Sequence, residues 1–161
     1  MSTPSRRASQ SSGKSRRKDV TLDLPTTRQM LPLVKSIVAD IVGTKHRLTK
    51  LVPEQETLER NRHSLGWVER QRRYSITEEI AQAERNLTGA VSELDALGLT
   101  LVDVQAGQVD FPTRINGRSA AFSWQLGEDG IAHWHYTGEP QRRPIPMDWQ
   151  QGTPLRVRGE A

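Results

Sequence analysis

Apolar residues recur along the chain in two rhythms. Val34, Ile37, Val38, Ile41, Leu48 and Leu51 mark one stripe at helical spacing, and Ile76, Ile80, Ala83, Leu87, Val91, Leu94 and Leu97 alternate three and four residues apart. The first stripe predicts a helix from about Asp23 to Val52. Asp23 is a suitable cap, and Pro25 sits in the first turn, where a missing N–H costs little. Pro32 is expected to bend this helix by removing the bond to Arg28, and Pro53 to break it. The second stripe is a coiled-coil-like seam, opened by a capping box of Ser75 and Glu78 and closed by Gly98 in the position of a C′ glycine. Between them lies PEQETLERNRHSLGWVERQRRYS, the least regular stretch. Leu58, Leu65 and Val68 allow a third helix there, which Gly66 weakens. Two long amphipathic helices joined in this way predict an antiparallel hairpin.

After Gly98 the period changes to two. LTLVDV reads as a strand, VDFPTRI and RSAAFSWQL flank the hairpin signal Asn116-Gly117, and IAHWHY follows Glu128-Asp129-Gly130. Beyond Gly138 the chain is Pro- and Arg-rich and is expected to be irregular. The fold class is therefore α+β: a helical hairpin over 20–98, then a three- to four-stranded antiparallel meander over 99–138, in one domain spanning 20–146. A basic tail (1–19) and an irregular tail (147–161) flank it.

Asn116-Gly117 as a two-residue turn sets Ile115 opposite Arg118, Phe111 opposite Phe122, Asp110 opposite Ser123 and Val109 opposite Trp124. For the next turn, a three-residue loop with Gly130 in the left-handed position keeps the faces consistent, whereas a four-residue loop mixes polar and apolar on both. It sets Trp124 beside Trp134 and Phe122 beside Tyr136. Val109, Phe111, Phe122, Trp124, Leu126, Trp134 and Tyr136 then form an aromatic-rich face for the helices to cover, so Trp124 and Trp134 are expected in the core. The opposite face carries Asp110, Ser123 and His135 in one cross-strand row, with Gln125 and His133 in the next. In that row Asp110 and His135 are about two strand spacings of ~4.8 Å apart, with Ser123 between them.

Charge changes the picture less than the total suggests. The chain of 161 residues carries a formal +4, but residues 1–19 hold Arg6, Arg7, Lys14, Arg16, Arg17 and Lys18 against Asp19, so residues 20–161 sum to −1. The basicity belongs to the tail, whose Ser-rich sequence cannot bury enough to order itself. The length fits one domain with a modest core, and at 34% hydrophobic residues some disordered length or exposed helix is expected. Without cysteine there is no disulfide framework, thiolate catalysis or cysteine zinc site, which fits a reducing compartment. No apolar run reaches membrane-spanning length and no secretory signal is evident, so a soluble, cytoplasmic protein is expected.

SELDALGLTLVDVQAGQVDFPTRINGRSAAFSWQLGEDGIAHWHYTGEPQRRPIP, with LPLV at 31–34, resembles the bacterial family called domain of unknown function 2203. The ELDALG helix end, GQVDFP, NGR, W-x-LGE, I-x-x-WH, and Arg142 followed by Pro144 carry the resemblance, which spans about residues 22–146. It implies a helical pair followed by a short sheet and brings no activity with it. Family members usually have a cysteine where this chain has Ser123, so a thiol-dependent metal or redox role is not expected here.

The candidate ligand or metal site is His135, Asp110, Ser123 and Arg142, with His133 and Glu139 on its flanks. Imidazole plus carboxylate suits a first-row metal, and His135 beside Ser123 suits general-base work. The order Asp–Ser–His across the sheet does not orient the imidazole as a triad requires. In the bland alternative, Ser123 and His135 bond across strands, while Asp110 pairs with Arg142 or Arg143. The connector holds the body's one basic stretch, where Arg70, Arg72 and Arg73 are candidates for anion or nucleic-acid contact, as are Arg16, Arg17 and Lys18 in the tail. The reading favoured is a non-enzymatic interaction or structural protein, paired through the helical hairpin with itself or a protein partner. A small metal- or ligand-binding protein and a weak nucleic-acid binder are the alternatives, and no cofactor is identified.

Overall fold

The Asp23 carboxylate accepts the Thr26 N–H at 2.8 Å, and Thr27 Oγ1 donates to the Asp23 carbonyl at 2.8 Å, so the first helix opens where its cap residue predicts. In a computed structural model, which describes residues 20–150, this helix, α1, runs Leu24–Arg60 with Pro32 and Pro53 inside it. Pro53 does not end the helix, contrary to the sequence reading. A mid-helix proline costs about 3 kcal/mol, and here packing offsets it: beyond Pro53, Leu58 joins Leu51 against Ile76 and Ile80, and Glu54 and Glu59 bind Arg72 and Arg73.

The connector is not a third helix but a short turn, because both helices extend into it. The second, α2, runs Trp67–Ala96 with Gly66 as its N-cap, and Glu69 Oε2 accepts the Gly66 N–H at 3.4 Å. The capping box expected at Ser75 is therefore absent: Ser75 lies inside α2 and its hydroxyl donates to the Arg72 carbonyl. At the other end, Gly98 takes φ +79°, Gly98 N–H donates to Asp95 O and Leu99 N–H to Leu94 O. This is the Schellman pattern, and it buries Leu99 under the sheet.

The sheet has five antiparallel strands in sequence order: β1 Thr100–Asp103, β2 Gln108–Ile115, β3 Arg118–Gln125, β4 His133–Tyr136 and β5 Arg143–Pro144. A four-residue helix, α3 (Met147–Gln150), follows. The Pro/Arg-rich stretch thus supplies a fifth strand and a helical turn where irregular chain was expected. Residues 1–19 and 151–161, with the tail cations Arg16, Arg17 and Lys18, lie outside the described residues.

The β2–β3 register is the one Asn116-Gly117 predicts, from Val109↔Trp124 to Ile115↔Arg118, with both turn residues at positive φ. The β3–β4 register differs by two residues: Phe122 faces Trp134, Ala120 faces Tyr136, Ser123 faces His133 and Ala121 faces His135. The cause is the turn. Gly127, not Gly130, adopts positive φ, and Glu128 organises a longer loop by accepting the Gln125 N–H on Oε1 and the Trp124 Nε1–H on its carbonyl. A shift of two leaves every side chain on its expected face. Val109, Phe111, Phe122, Trp124, Trp134 and Tyr136 are all buried, and only Leu126 of the predicted face is exposed.

These side chains meet Leu24, Leu31, Val34, Ile37, Val38 and Ile41 of α1 and Leu94 of α2 in the main core. Full burial of one such side chain contributes about 1.5–3 kcal/mol. Gly107, at the β1–β2 turn, marks how closely sheet and helix approach: at φ +68°, a Cβ there would lie 2.8 Å from Leu126 and 2.9 Å from Val38. A smaller cluster, Leu51, Ile76 and Ile80 with Leu48 and Leu58, holds the rest of the hairpin together beyond the sheet.

Candidate functional site

On the sheet face turned away from the helices, alternation brings up Asp110, Ser123, His133 and His135, with Gln108 beside them. The observed register puts His133, not His135, in the row of Asp110 and Ser123. His135 nevertheless reaches Asp110 diagonally across β3, because the residues beneath that path are the small Ala121 and Ser123. Its Nε2 lies 2.8 Å from Asp110 Oδ2, with both side chains largely buried. The contact is short but off the axis of the ring N–H, and Asp110 Oδ1 is buried without a hydrogen-bond partner.

The other ring nitrogen fixes the protonation. His135 Nδ1 lies 2.8 Å from the Tyr136 carbonyl, which can only accept, so Nδ1 carries a hydrogen. Nε2 then faces the carboxylate either as the second N–H of an imidazolium or as the acceptor of a proton on Asp110. Burial raises the Asp110 carboxyl above its ordinary range, outweighing the opposing pull of His135. Burial alone would lower the imidazole, but the contacts with Asp110 and Tyr136 O raise it instead. Both directions say that the pair retains a proton between them.

Arg142 is the second centre. Its Nε donates to Ser123 Oγ at 2.9 Å and its NH2 to Ser123 O at 3.1 Å, while the same guanidinium grips Glu128 at 2.6 and 3.3 Å. Burial would raise the Glu128 carboxyl, but Arg142 and the Gln125 N–H hold it below the ordinary carboxylate range. Gln108 Nε2 donates to Ser123 Oγ at 3.3 Å, and His133 Nδ1 lies 3.3 Å from Glu128 Oε2. The residues the sequence singled out thus share one face but form two sets, Asp110 with His135 and Ser123 with Arg142. The expected pairings of Ser123 with His135 and of Asp110 with Arg142 or Arg143 are replaced, Arg143 binding Glu139.

This arrangement clamps the returning strand more readily than it does chemistry. The Ser123 hydroxyl is held by two cationic or amide donors, and both nitrogens of His135 face oxygen atoms, Nε2 without an aligned hydrogen bond. Among the described residues no group of three or more His, Asp or Glu side chains could hold a metal ion. A cavity of about 440 Å³ does open beside His135, Gln108 and Glu139, walled by Val102, Val104 and Pro140. Glu128 and Gln108 were missed as network members, although both sit inside the motifs W-x-LGE and GQVDFP.

A different surface emerges at the free end of the hairpin. Trp67 is 69% exposed, Val68 75% and Tyr74 74%. At about 100° per residue, Trp67, Arg70 and Tyr74 lie on the side of α2 opposite its buried stripe of Ile76, Ile80, Ala83 and Leu94. Of the connector arginines proposed for anion contact, Arg72 is bound to Glu54 and Glu79, and Arg73 to Glu59. Arg70 is exposed. The sequence signal for this surface was an aromatic pair seven residues apart, off the apolar seam.

Searches of curated proteins and of solved structures each find no match. No described helix is long and apolar enough to cross a membrane. The family model described as "Uncharacterized conserved protein (DUF2203)" matches residues 21–145, from the residue before Leu22 to the end of the sheet, and the chain belongs to that family.

Proposed function

We propose that this is a non-enzymatic interaction protein, working in the cytoplasm, in which the sheet end is a fixed base and the free end of the hairpin is the docking surface. The observation that carries the reading is the outward trio Trp67, Arg70 and Tyr74 on one helix face. Trp, Tyr and Arg are the residue types that dominate binding hot spots, and an aromatic pair this exposed adds little to the packing of the fold. The test is a Trp67→Ala/Tyr74→Ala double variant. Its stability should stay within about 0.5 kcal/mol of wild type, while a partner that co-purifies with the wild-type protein from the source cell is lost. Undiminished recovery of that partner by the double variant would sink the reading.

A second reading, a small-ligand site, rests on the cavity beside His135 and Gln108. Thermal-shift screening against polar metabolites, and against zinc, nickel and manganese, compares wild type with His135→Ala. Uniformly flat wild-type responses remove it.

A further inference from the structure

We infer that the free end of the hairpin docks an acidic protein segment that also offers an apolar residue to Trp67 and Tyr74; this rests on the interaction reading above. Most carboxylates at this end already have partners. Glu54 and Glu79 bind Arg72, with Arg72 Nε 2.6 Å from Glu54 Oε1. Glu59 binds Arg73 at 2.7 Å, and Glu69 caps the Gly66 N–H. Glu56 sits on the α1 face turned from α2, about 140° from Leu51. The cations are the reverse case. Arg60 reaches only the Thr57 hydroxyl, and Arg62 points its Nε at His63 Nε2. Together with Arg70 they have no carboxylate within ion-pair distance among the described residues. The free end therefore presents Arg70 on the face of exposed Trp67 and Tyr74, with Arg62 in the adjoining turn and Arg60, about 180° from Leu51, on the outer α1 face with Glu56, over a layer of ion pairs that fixes the two helix ends relative to each other. Such prior ordering lowers the cost of binding.

The same facts select against other occupants. A second copy docked end to end would set arginine against arginine. A nucleic acid or an anionic membrane rewards many cations in a continuous track, yet Arg72 and Arg73 are neutralised here and Glu54 and Glu59 remain more than 40% exposed beside them. A short acidic segment needs only a few charge contacts and one apolar anchor.

The test selects binders from a random 12-residue peptide library on the full-length protein, then titrates them against Trp67→Ala, Tyr74→Ala and Arg70→Glu, each checked by its melting curve. The expected result is peptides combining Asp or Glu with an aromatic or aliphatic residue. Their affinity should fall at least tenfold on Trp67→Ala or Tyr74→Ala, fall similarly on Arg70→Glu, and weaken with salt. Peptides that need Trp67 but carry no acidic residues and ignore Arg70→Glu would overturn the acidic partner while leaving the docking surface intact. Peptides indifferent to all three substitutions would overturn both. Tighter, Arg70-dependent binding to a 20-base-pair duplex or to phosphatidylserine vesicles would overturn the proposal in favour of a polyanion.

Discussion

Where α1 crosses the sheet, Val34, Val38 and Ile41 have no exposed surface and lie against Phe111, Phe122 and Trp124, which have almost none. Two to three turns further along, the same helix has only α2 for company and buries Leu51 alone. The first region is held by apolar contact on two sides plus a part-buried polar network on the far sheet face. The second is held by a three-residue core and by ion pairs in solvent: Arg47 and Arg72 with Glu79, Arg72 with Glu54, Arg73 with Glu59. One helix thus passes from a region whose side chains are chosen by packing into one whose side chains are free to face a partner. The exposed aromatics are found in the second.

The largest expected contrast comes from truncating one side chain in each region. Trp124→Ala should cost about 3–5 kcal/mol and shift the unfolding of the whole domain. Ile80→Ala should sit near the lower bound of about 2 kcal/mol for such truncations, because the cluster around it is small. Hydrogen exchange after Ile80→Ala should show lost protection confined to about residues 48–80. Loss of protection throughout the sheet would mean that the two regions are one cooperative unit and that the comparison fails.

Next in size is the clamp on the far sheet face. Arg142→Ala removes the guanidinium from Glu128 and the Ser123 carbonyl, leaving Glu128 only the Gln125 N–H, and should destabilise by about 2–3 kcal/mol, as for a lost charge-assisted bond in a part-buried site. Arg142→Lys keeps the charge but not the fork, and should recover only part of the loss. Denaturant midpoints measure both. An Arg142→Ala protein as stable as wild type would show that β5 holds without its clamp.

The Asp110–His135 pair adds a pH dependence with a definite sign. His135 is raised above 6.5, so its contribution is full below that value and is lost as pH rises through the higher folded value. Asp110 is raised above 3.8, so the folded chain also keeps a proton that the unfolded chain has released. Both groups make the folded state bind more protons, and stability should fall as pH rises through and above neutrality. The acid limb has a separate origin: Glu128, held low by Arg142, contributes stability that is lost as pH falls below about 4.5. Melting temperatures from pH 6 to 9 should decline for wild type and flatten for Asp110→Asn/His135→Gln. A flat wild-type profile would contradict the shared proton.

These regions were also unequally legible. A helical period and an Asn-Gly turn are local signals, so α1, α2, the β2–β3 register and the two sheet faces could be read directly. What failed depended on tertiary and side-chain contacts that no local periodicity encodes. Pro53 stays helical because α2 lies beside it, and the β3–β4 register is set by the Glu128 side chain reaching back to Gln125 and forward to Arg142. Asp110 and His135 meet because Ala121 is small enough to pass over, a signal that was present but needed the register to be useful. Trp67 and Tyr74 were hidden because the stretch around them lacked an apolar seam, which is also why they are exposed.

The smallest expected effect bears most directly on the proposed docking surface. The Arg72 guanidinium is about one-third exposed and Glu54 rather more, so screening removes most of the pair's nominal strength. Glu54→Gln should therefore cost only about 0.2–1 kcal/mol, the range of exposed pairs, and that loss should shrink further in ~1 M salt, where the Debye length is ~3 Å. Arg142→Ala, in the part-buried clamp, should cost nearly the same at both salt concentrations. Glu54→Gln also frees one arginine valence at the hairpin end without altering Trp67 or Tyr74. If that end recognises acidic segments, the variant should bind them at least as tightly as wild type while being slightly less stable. A variant that loses stability and acidic-peptide binding together would mean that the ion pairs position the surface more than the unpaired cations attract the partner.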